Sequence, residues 1–189
     1  MSDLHLTENK APMNRKLENS ELNRLTIAEF KQTQKLPLVV VLDNIRSQQN
    51  IGAAFRTGDA FRIDGIFLCG ISSTPPTAEI HKSALGAEDS VEWQYFDNVA
   101  DAINILKQKG YTIITVEQTA DSLMLNQFVP VHGKKYALVF GNEVHGVSQT
   151  VVDISDLCIE IPQEGTKHSL NVSVSIGIVL WDLYRFFMQ

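Results

Sequence analysis

Blocks of apolar and polar residues alternate along the chain in a pattern that predicts strands separated by helices. The run LPLVVVLD, residues 36–43, is almost continuously apolar and rich in β-branched residues, which is typical of a strand buried on both faces. Five further apolar runs predict strands in GIFLCGI, VEWQYF, YTIITVE, YALVF and LCIEIP. Because strands that alternate with helices form parallel sheets, we predict an α/β fold: a mostly parallel six-stranded sheet with helices on both faces.

Apolar residues at helical spacing fill the intervals between these strands. The pattern predicts a helix over residues 20–32 with Ser20 as its N-cap, and a second helix in SQQNIGAAFRTGDAFRI. It also predicts a short helix in EIHKSALG that ends at Gly86, and an amphipathic helix in DNVADAINILKQKG that is capped by Asp97 and closed by Gly110.

The C-terminal segment fits two patterns, of which the helical one explains more residues. SLNVSVSIG alternates polar and apolar residues, as a strand would. Over the longer stretch, apolar residues fall at helical spacing: Val172, Ile176, Val179, Leu180, Leu183 and Phe187. We therefore predict a helix over residues 170–187.

The composition is that of a soluble globular protein, with 189 residues, 44% hydrophobic and 20% charged. We predict a polar N-terminal arm with one mixed-charge helix over residues 1–36 and a single domain over 37–189. No apolar run reaches membrane-spanning length and the N-terminus lacks the apolar core of a signal peptide, so we expect a cytoplasmic protein without a membrane partner. Cys69 and Cys158 lie in strand-like runs without metal-ligand spacing, so we expect buried, reduced thiols.

The distribution of charge does not decide between classes of partner. The net charge of −6 argues mildly against nucleic acid, because phosphate binding favours a basic surface. Residues 1–36, however, hold six Lys and Arg against five acids, whereas the rest of the chain holds ten against seventeen. A basic arm on an acidic body is as consistent with RNA binding as with an ordinary surface.

The loop in YALVFGNEVHGVSQT, residues 136–150, has glycine spacing that suggests a phosphate-binding loop but lacks an essential residue. Gly141 and Gly146 bracket four residues, as in a P-loop, but Val147 stands where that motif has its lysine. Without the lysine, nothing in the loop reaches the terminal phosphates of a nucleotide. ATP or GTP chemistry is therefore not expected.

Three polar clusters follow predicted strands. The first contains Asn50 and Arg56, the second is GNEVHG with Glu143, and the third is IPQEGTKHSLNVSVS with Ser169 and Asn171. Each has an ordinary explanation: a surface arginine on an amphipathic helix, a polar turn, and Ser169 as a helix cap. Because all three follow strands of one parallel sheet, we expect them to meet at its carboxyl edge, where ligands bind.

The same clusters carry a family resemblance. NIGAAFRTGDAF, LVFGNEVHGVS and IPQEGTKHSLNVSVSIGI resemble, in order and spacing, the three motifs of the SpoU family of RNA ribose methyltransferases, within the SPOUT superfamily. The intervening HKSALGAEDSVEW is also similar to the family, and the resemblance covers about residues 38–187. It implies a C-terminal trefoil knot, S-adenosylmethionine (S-adenosyl-L-methionine) as cofactor, and a homodimer with the active site near the interface.

The resemblance also implies roles for individual residues. The cofactor is expected at Gly141, Ile161 and Leu170, with residues 115–117 as a further candidate contact and no metal. The residues implied at the reacting ribose are Arg56, Asn50, Glu143, Ser169 and Asn171. Since a guanidinium stays protonated in proteins, we expect Arg56 to clamp an RNA phosphate rather than act as base. We expect Glu143 to orient its neighbours.

The implied partner is RNA, either tRNA or rRNA, with tRNA favoured because the arm is short. We expect the arm to act with four basic residues: Arg46, Arg62, Lys82 and Lys167. Two alternatives remain open. One is a non-catalytic RNA-binding dimer that retains the cofactor pocket. The other is a small-molecule α/β enzyme with another cofactor, against which the absence of GxGxxG, of a complete P-loop and of metal-ligand spacing argues.

Overall fold

The computed structural model describes residues 14–188, in which a seven-stranded sheet is covered by helices on both faces. Every paired strand is parallel to its neighbour, and the order across the sheet is β3-β2-β1-β6-β4-β7-β5. The strands are β1 (Leu36–Asp43), β2 (Ile63–Cys69), β3 (Trp93–Phe96), β4 (Tyr111–Val116), β5 (Leu123–Met124), β6 (Lys135–Phe140) and β7 (Leu157–Glu160).

The predicted parallel α/β class is confirmed, whereas the predicted count of six strands is wrong by one. The additional strand is β5, which pairs Leu123 with Ile159 and Met124 with Glu160 of β7. With two residues, β5 is too short to produce a recognisable alternation of apolar and polar positions. It forms the edge of the sheet beside β7.

The helices are α1 (Ile27–Gln32), α2 (Gln48–Ala60), α3 (Ala78–Ala84), α4 (Ala87–Ser90), α5 (Val99–Gln108), α6 (Gln149–Ile154) and α7 (Val172–Phe187). The predictions that correspond to α2, α3, α5 and α7 are confirmed. Short 3-10 turns lie at Asn19–Leu22 and Leu125–Gln127. The sequence did not indicate α4 or α6, which have only four and six residues.

The predicted helix over residues 20–32 is wrong as a single element. The 3-10 turn ends where Asn23 takes a left-handed conformation (φ 47°), and α1 begins only after Thr26. Thr26 and Glu29 form a reciprocal capping box that fixes this later start. The part of the predicted arm over residues 1–13, which includes Lys10, lies outside the described residues.

Two other predicted caps differ by one or two positions. Asn98, not Asp97, caps α5 by accepting a hydrogen bond from the backbone N–H of Ala100 at 2.8 Å. Asn171, not Ser169, caps α7 by accepting from the backbone N–H of Ser173 at 2.8 Å. The prediction that Ser169 caps α7 is therefore wrong, and capping does not explain why a serine occupies this position.

The core consists of two apolar layers on opposite faces of the sheet, and β1 contributes side chains to both. Val40 and Leu42 point into the layer that contains residues of α2 and α7, such as Phe55 and Leu183. Val39 and Val41 point into the opposite layer, which residues of α5 and α6 complete. This alternation explains why the sequence of β1 is apolar at nearly every position.

The two cysteines differ in exposure. Cys69 ends β2 in the core, where burial, together with the nearby Asp43 carboxylate, raises the pKa of its thiol to about 12. Cys158 lies in β7 and is only half-buried. Both are free thiols, so the prediction of a buried thiol is confirmed for Cys69 and wrong for Cys158.

The sheet order brings the carboxyl ends of β4, β6 and β7 together. The segments that follow these strands are residues 117–122, 141–148 and 161–171. No helix within residues 14–188 is both long and apolar enough to cross a membrane. The same residues contain no group of three or more side chains arranged to hold a metal ion. The domain boundary near residue 36 stays a prediction.

Candidate cofactor and active site

An open cleft of about 1340 Å³ lies at the carboxyl ends of β4, β6 and β7. The three residues predicted to hold the cofactor line this cleft: Gly141, Ile161 and Leu170. Three of the residues predicted at the reacting ribose line it too: Glu143, Ser169 and Asn171. The structure therefore brings together the second and third polar clusters of the sequence.

Gly141 allows the loop after β6 to fold back on itself. The Asn142 N–H donates to the Gly146 carbonyl at 3.1 Å, and the Gly146 N–H donates to the Asn142 carbonyl at 2.8 Å. The Asn142 side-chain oxygen also accepts from the N–H groups of Val144 and His145. A Cβ on Gly141 would collide with the backbone of Gly146 and Val147, so only glycine permits this closed loop.

Two consecutive residues at the end of β4 contact the other two segments of the cleft. A Glu117 carboxylate oxygen accepts from the Val147 N–H at 2.9 Å, which holds the loop after β6. The Gln118 side-chain amide donates to the His168 carbonyl at 2.9 Å, which holds the segment after β7. The sequence pointed to residues 115–117 only through the family resemblance, and Gln118 carried no signal.

Glu143 joins the loop after β6 to the start of α2. Its two carboxylate oxygens accept hydrogen bonds from the backbone N–H groups of Arg46 and Ser47, both at 3.0 Å, and from the Asn50 side-chain amide at 3.0 Å. Desolvation by burial acts to raise its pKa, but these hydrogen bonds outweigh desolvation and lower the pKa below its ordinary value. The ionised carboxylate is thus occupied by three donors.

Asn50 connects Glu143 to the first turn of α7. Its side chain is only 8% exposed, and its oxygen accepts a hydrogen bond from the Asn171 amide at 3.2 Å. Asn171 meanwhile uses its own oxygen to cap α7. A chain of side-chain hydrogen bonds therefore runs from Glu143 through Asn50 to Asn171. Two of these residues, Asn50 and Asn171, are 121 positions apart in the sequence.

Arg56 lies apart from this chain of contacts. It is exposed on α2, six positions after Asn50 and on a different side of the helix. It does not line the cleft, and its side chain makes no hydrogen bond or ion pair with any residue in 14–188. Ser169 lines the cleft but is exposed and, within the same residues, likewise without a polar partner.

The walls of the cleft are acidic. No lysine or arginine lines it, whereas six carboxylate side chains do: Glu117, Asp121, Glu143, Asp153, Asp156 and Glu160. A concave surface with charges of one sign attracts ligands of the opposite sign. The cleft therefore suits a cationic ligand and disfavours a nucleoside triphosphate, in agreement with the missing P-loop lysine.

The four basic residues predicted to contact RNA are spread over the molecule. Arg46 is exposed next to the cleft, and Lys167 is exposed in the segment after β7. Lys82 is exposed on α3. Arg62 precedes β2 at the amino ends of the strands, where its carbonyl accepts from the Leu36 N–H, so it lies at the end of the sheet opposite the cleft.

The chain is similar to known RNA-modifying enzymes. The model of the SpoU rRNA Methylase family matches residues 37–181. An uncharacterized tRNA/rRNA methyltransferase of Borreliella burgdorferi is 32% identical over 182 residues, which is 96% of this chain and 76% of that protein. The 23S rRNA (guanosine-2′-O-)-methyltransferase RlmB of Neisseria meningitidis is 33% identical over 149 residues, which is 79% of this chain and 58% of that protein.

A solved structure agrees with these matches. The AdoMet-bound rRNA methyltransferase from Sinorhizobium meliloti superposes with a TM-score of 0.76 at 25% sequence identity, covering 85% of this chain and 61% of that one. The chain thus spans three quarters of the Borreliella protein and less than two thirds of the other two proteins.

Proposed function

Because the chain belongs to the SpoU rRNA methylase family, we propose that it is an S-adenosylmethionine-dependent RNA methyltransferase that modifies ribose 2′-hydroxyl groups. The Neisseria relative is named for transfer to the 2′-oxygen of guanosine in 23S rRNA, which supports the reaction. The Sinorhizobium neighbour is described as AdoMet-bound, which supports the cofactor.

The observation that carries the proposal is the acidic cleft in which Gly141, Ile161 and Leu170 meet. S-adenosylmethionine bears a sulfonium and an ammonium group, and carboxylate walls stabilise such cations. The closed loop after β6 and the segment after β7 border the cleft on two sides. The residues present therefore fit this cofactor, whose role when bound is to supply an activated methyl group.

The side chains of the cleft mainly have to align the ribose hydroxyl with the methyl donor and direct the hydroxyl proton away. Glu143 orients the start of α2 and is not the base, because its oxygens are occupied by three donors and its pKa is lowered. Asn50 and Asn171 extend the same network to α7. Ser169, just before α7, lines the cleft and makes no side-chain hydrogen bond within residues 14–188, so its hydroxyl is available to the substrate.

Arg56 binds an RNA phosphate and thereby fixes the target ribose. A guanidinium presents paired donors that match the geometry of a phosphate and does not deprotonate, so Arg56 is suited to clamping and not to proton abstraction. Its exposed side chain is free for such a ligand. The proton of the ribose hydroxyl would then pass to the phosphate or to water, as an oxygen–methyl bond replaces the sulfur–methyl bond and S-adenosylhomocysteine is left.

Two copies of the chain associate through the outer face of α7. Val174, Trp181 and Met188 follow one another at intervals of seven and are 49%, 52% and 52% exposed, so they form one apolar stripe. Between them, Gly177 has no atom within 4 Å of the position that a Cβ would occupy, which leaves room for a neighbouring backbone. Since α2 packs beside α7, a second copy on this stripe would also lie near the exposed Arg56.

The C-terminal trefoil knot belongs to the same proposal. The sheet order places β7 beyond β4, whereas α7 packs against α2 in the core layer of β1. Residues 161–171 therefore return across the carboxyl ends of β4 and β6, beside the closed loop after β6. This return path supports a threaded chain, which is an exception to the usual rule for connections.

The substrate is a structured RNA, of which tRNA is the first to test. Among the basic residues proposed to contact it, Arg46 and Lys167 lie beside the cleft and Lys82 is exposed on α3. Arg62 lies at the opposite end of the sheet and is not part of this surface.

The test is transfer of a labelled methyl group from S-adenosylmethionine to RNA from a strain that lacks the gene. We expect label in a 2′-O-methyl nucleoside, and the size of the labelled RNA distinguishes tRNA from rRNA. Arg56→Lys is expected to lower turnover about a hundredfold while S-adenosylhomocysteine still binds, because lysine cannot make a bidentate clamp. Arg62→Lys is the matched control, because Arg62 lies at the end of the sheet opposite the cleft.

Two outcomes would contradict these assignments. Near-normal turnover of Arg56→Lys would exclude the bidentate clamp. S-adenosylhomocysteine binding without any transfer to RNA would favour a non-catalytic RNA-binding dimer that retains the cofactor pocket.

A further inference from the structure

The segment after β7 is almost unattached to the rest of the protein. Residues 162–170 are all exposed, and they include Ser169 and Leu170, which line the cleft. Within residues 14–188, residues 162–170 make a single hydrogen bond, which the His168 carbonyl accepts from the Gln118 side-chain amide at 2.9 Å, and the next anchor is the bond from Asn171 to Asn50. A segment with so few buried contacts is expected to open locally at little cost in free energy.

Gln118 is well placed to limit that opening. It follows Glu117, whose backbone N–H donates to the Ile159 carbonyl of β7 at 3.0 Å, so the backbone at this point is fixed to the sheet. The Glu117 carboxylate also accepts from the Gln118 N–H at 2.9 Å and from the Val147 N–H at 2.9 Å. The Gln118 side chain thus extends from backbone that is fixed to the sheet towards residues 162–170, which have no other hydrogen bond to the described protein.

The contact lies one residue from the predicted site residues. His168 immediately precedes Ser169 and Leu170, so its carbonyl fixes the backbone that presents both to the cleft. On the other wall of the same cleft, the Glu117 carboxylate fixes Val147, at the end of the loop that begins with Gly141. Adjacent side chains at the end of β4 therefore set the spacing of the two walls.

We propose that Gln118 is a positioning residue for the cofactor: its hydrogen bond to the His168 carbonyl holds the segment after β7 at the distance from the loop after β6 that S-adenosylmethionine requires. This inference rests on the proposed function, because it takes the cleft to be the cofactor site. Gln118 acts through His168 and not by chemistry at the methyl group, so its loss should weaken cofactor binding more than it lowers turnover at saturating cofactor.

Gln118→Met tests the proposal, because methionine matches glutamine in length but cannot donate a hydrogen bond. Gln108→Met is the matched control, since Gln108 is exposed at the end of α5 and its side chain has no hydrogen-bond partner among the described residues. The dissociation constant of S-adenosylhomocysteine is measured by calorimetry for the wild type and both variants. For Gln118→Met we expect an increase of about tenfold, as for the loss of one hydrogen bond that orders a binding segment.

A second measurement separates positioning from general destabilisation. In the ligand-free protein, trypsin should cleave after the exposed Lys167 faster in Gln118→Met than in the wild type, while the free energy of unfolding stays unchanged. KM for RNA should also remain unchanged while KM for S-adenosylmethionine rises. A lower free energy of unfolding in Gln118→Met would instead show a structural residue and overturn the proposal.

The remaining outcomes distinguish this inference from the proposed function. If the wild type and Gln118→Met bind S-adenosylhomocysteine equally well, the positioning role is wrong and the proposed function stands. If the wild type does not bind S-adenosylhomocysteine at all, the cofactor site is wrong, and the role of Gln118 falls with it.

Discussion

Glu143 fixes the loop after β6 to the start of α2, and its contacts argue against a role in proton transfer. It is 97 residues from Arg46 in sequence, yet it accepts the Arg46 N–H, the Ser47 N–H and the Asn50 amide. These donors stabilise the ionised form and lower the pKa, although desolvation opposes them. A general base at neutral pH would need the reverse: a raised pKa and a free oxygen.

The Glu143→Gln variant should therefore lose stability in a pH-dependent way. Glutamine keeps one oxygen but turns an NH₂ group towards a backbone N–H, so two donors face each other. Since the carboxylate is partly exposed, we expect a loss of about 1 kcal/mol in the free energy of unfolding near neutral pH. A group with a depressed pKa stabilises the fold above its ordinary value of 4.5 and loses that contribution as the pH falls through the lower folded value.

Urea denaturation near neutral pH and again below the ordinary carboxyl pKa checks this. The difference between wild type and Glu143→Gln should shrink at the lower pH. Glu164→Gln is the control, because Glu164 is exposed and has no hydrogen-bond partner among the described residues. A difference that is the same at both pH values would show that the charge of Glu143 is not what stabilises the loop.

At the scale of elements, the sequence predicts best those that are long and buried. The apolar run of β1 and the spacing of α5 and α7 identify these elements, because burial on one or two faces dictates their composition. The elements that were missed are β5, α4 and α6, each too short to show a period. The break at residues 23–26 could have been predicted from Thr26 and Glu29, whose spacing is that of a capping box.

The candidate site likewise contains residues that the sequence predicted and one that it did not. The motifs predicted Glu143, Asn50 and Asn171 as site residues, and the structure joins the three by hydrogen bonds. The resemblance to the SpoU family is confirmed by the match over residues 37–181. Gln118 could not be found from sequence, because its importance lies in one contact with a backbone carbonyl 50 residues away. A contact to backbone leaves no pattern in the partner's side chain.

Asn171 serves both α7 and the site, and two variants can separate these roles. Asn171→Asp keeps an oxygen that caps α7 but removes the amide that donates to Asn50, whereas Asn171→Ala removes both. If the Asn50 side-chain amide flipped, its NH₂ group could donate to the introduced carboxylate. Its oxygen would then face the Glu143 carboxylate, which now accepts from that NH₂ group. We expect Asn171→Ala to lose about 1 kcal/mol of stability and Asn171→Asp to lose little.

Methyl transfer should fall about tenfold in both Asn171 variants, because both break the contact that aligns α7 with α2. Chemical denaturation gives the stabilities, and transfer at saturating S-adenosylmethionine gives the activities. Full activity of Asn171→Asp would mean that the cap alone matters and that the link from Asn50 to Asn171 does not position the site.

At the scale of the whole molecule, net charge is a poor guide to the partner. The chain carries −6 overall, which by itself argues against RNA. Six of its 22 acidic residues, however, line the cleft proposed for a cationic cofactor. Part of the negative net charge thus comes from carboxylates that we propose face the methyl donor and not RNA. The exposed Arg46 and Lys167 leave a basic surface beside the cleft for the proposed contact with phosphate.

The position of Arg56 leads to the last prediction, which concerns assembly. Within one chain, Arg56 does not line the cleft and makes no polar contact with residues 14–188. It lies on α2, which packs beside the apolar stripe of α7. If two copies pair through this stripe, Arg56 of one copy can complete the site of the other. A single copy would then bind the cofactor but lose most of its methyl transfer.

Trp181→Glu and Val174→Glu should convert a dimer of 21.1 kDa chains into monomers, because each places a charge in the proposed apolar interface. Light scattering coupled to gel filtration measures the mass, with Ile71→Glu, a 65% exposed residue outside α7, as the control. The monomers should bind S-adenosylhomocysteine within about twofold of the wild type but lose methyl transfer by about tenfold or more. Monomers with full transfer would place Arg56 and the cleft in one chain, and a monomeric wild type would refute the dimer itself.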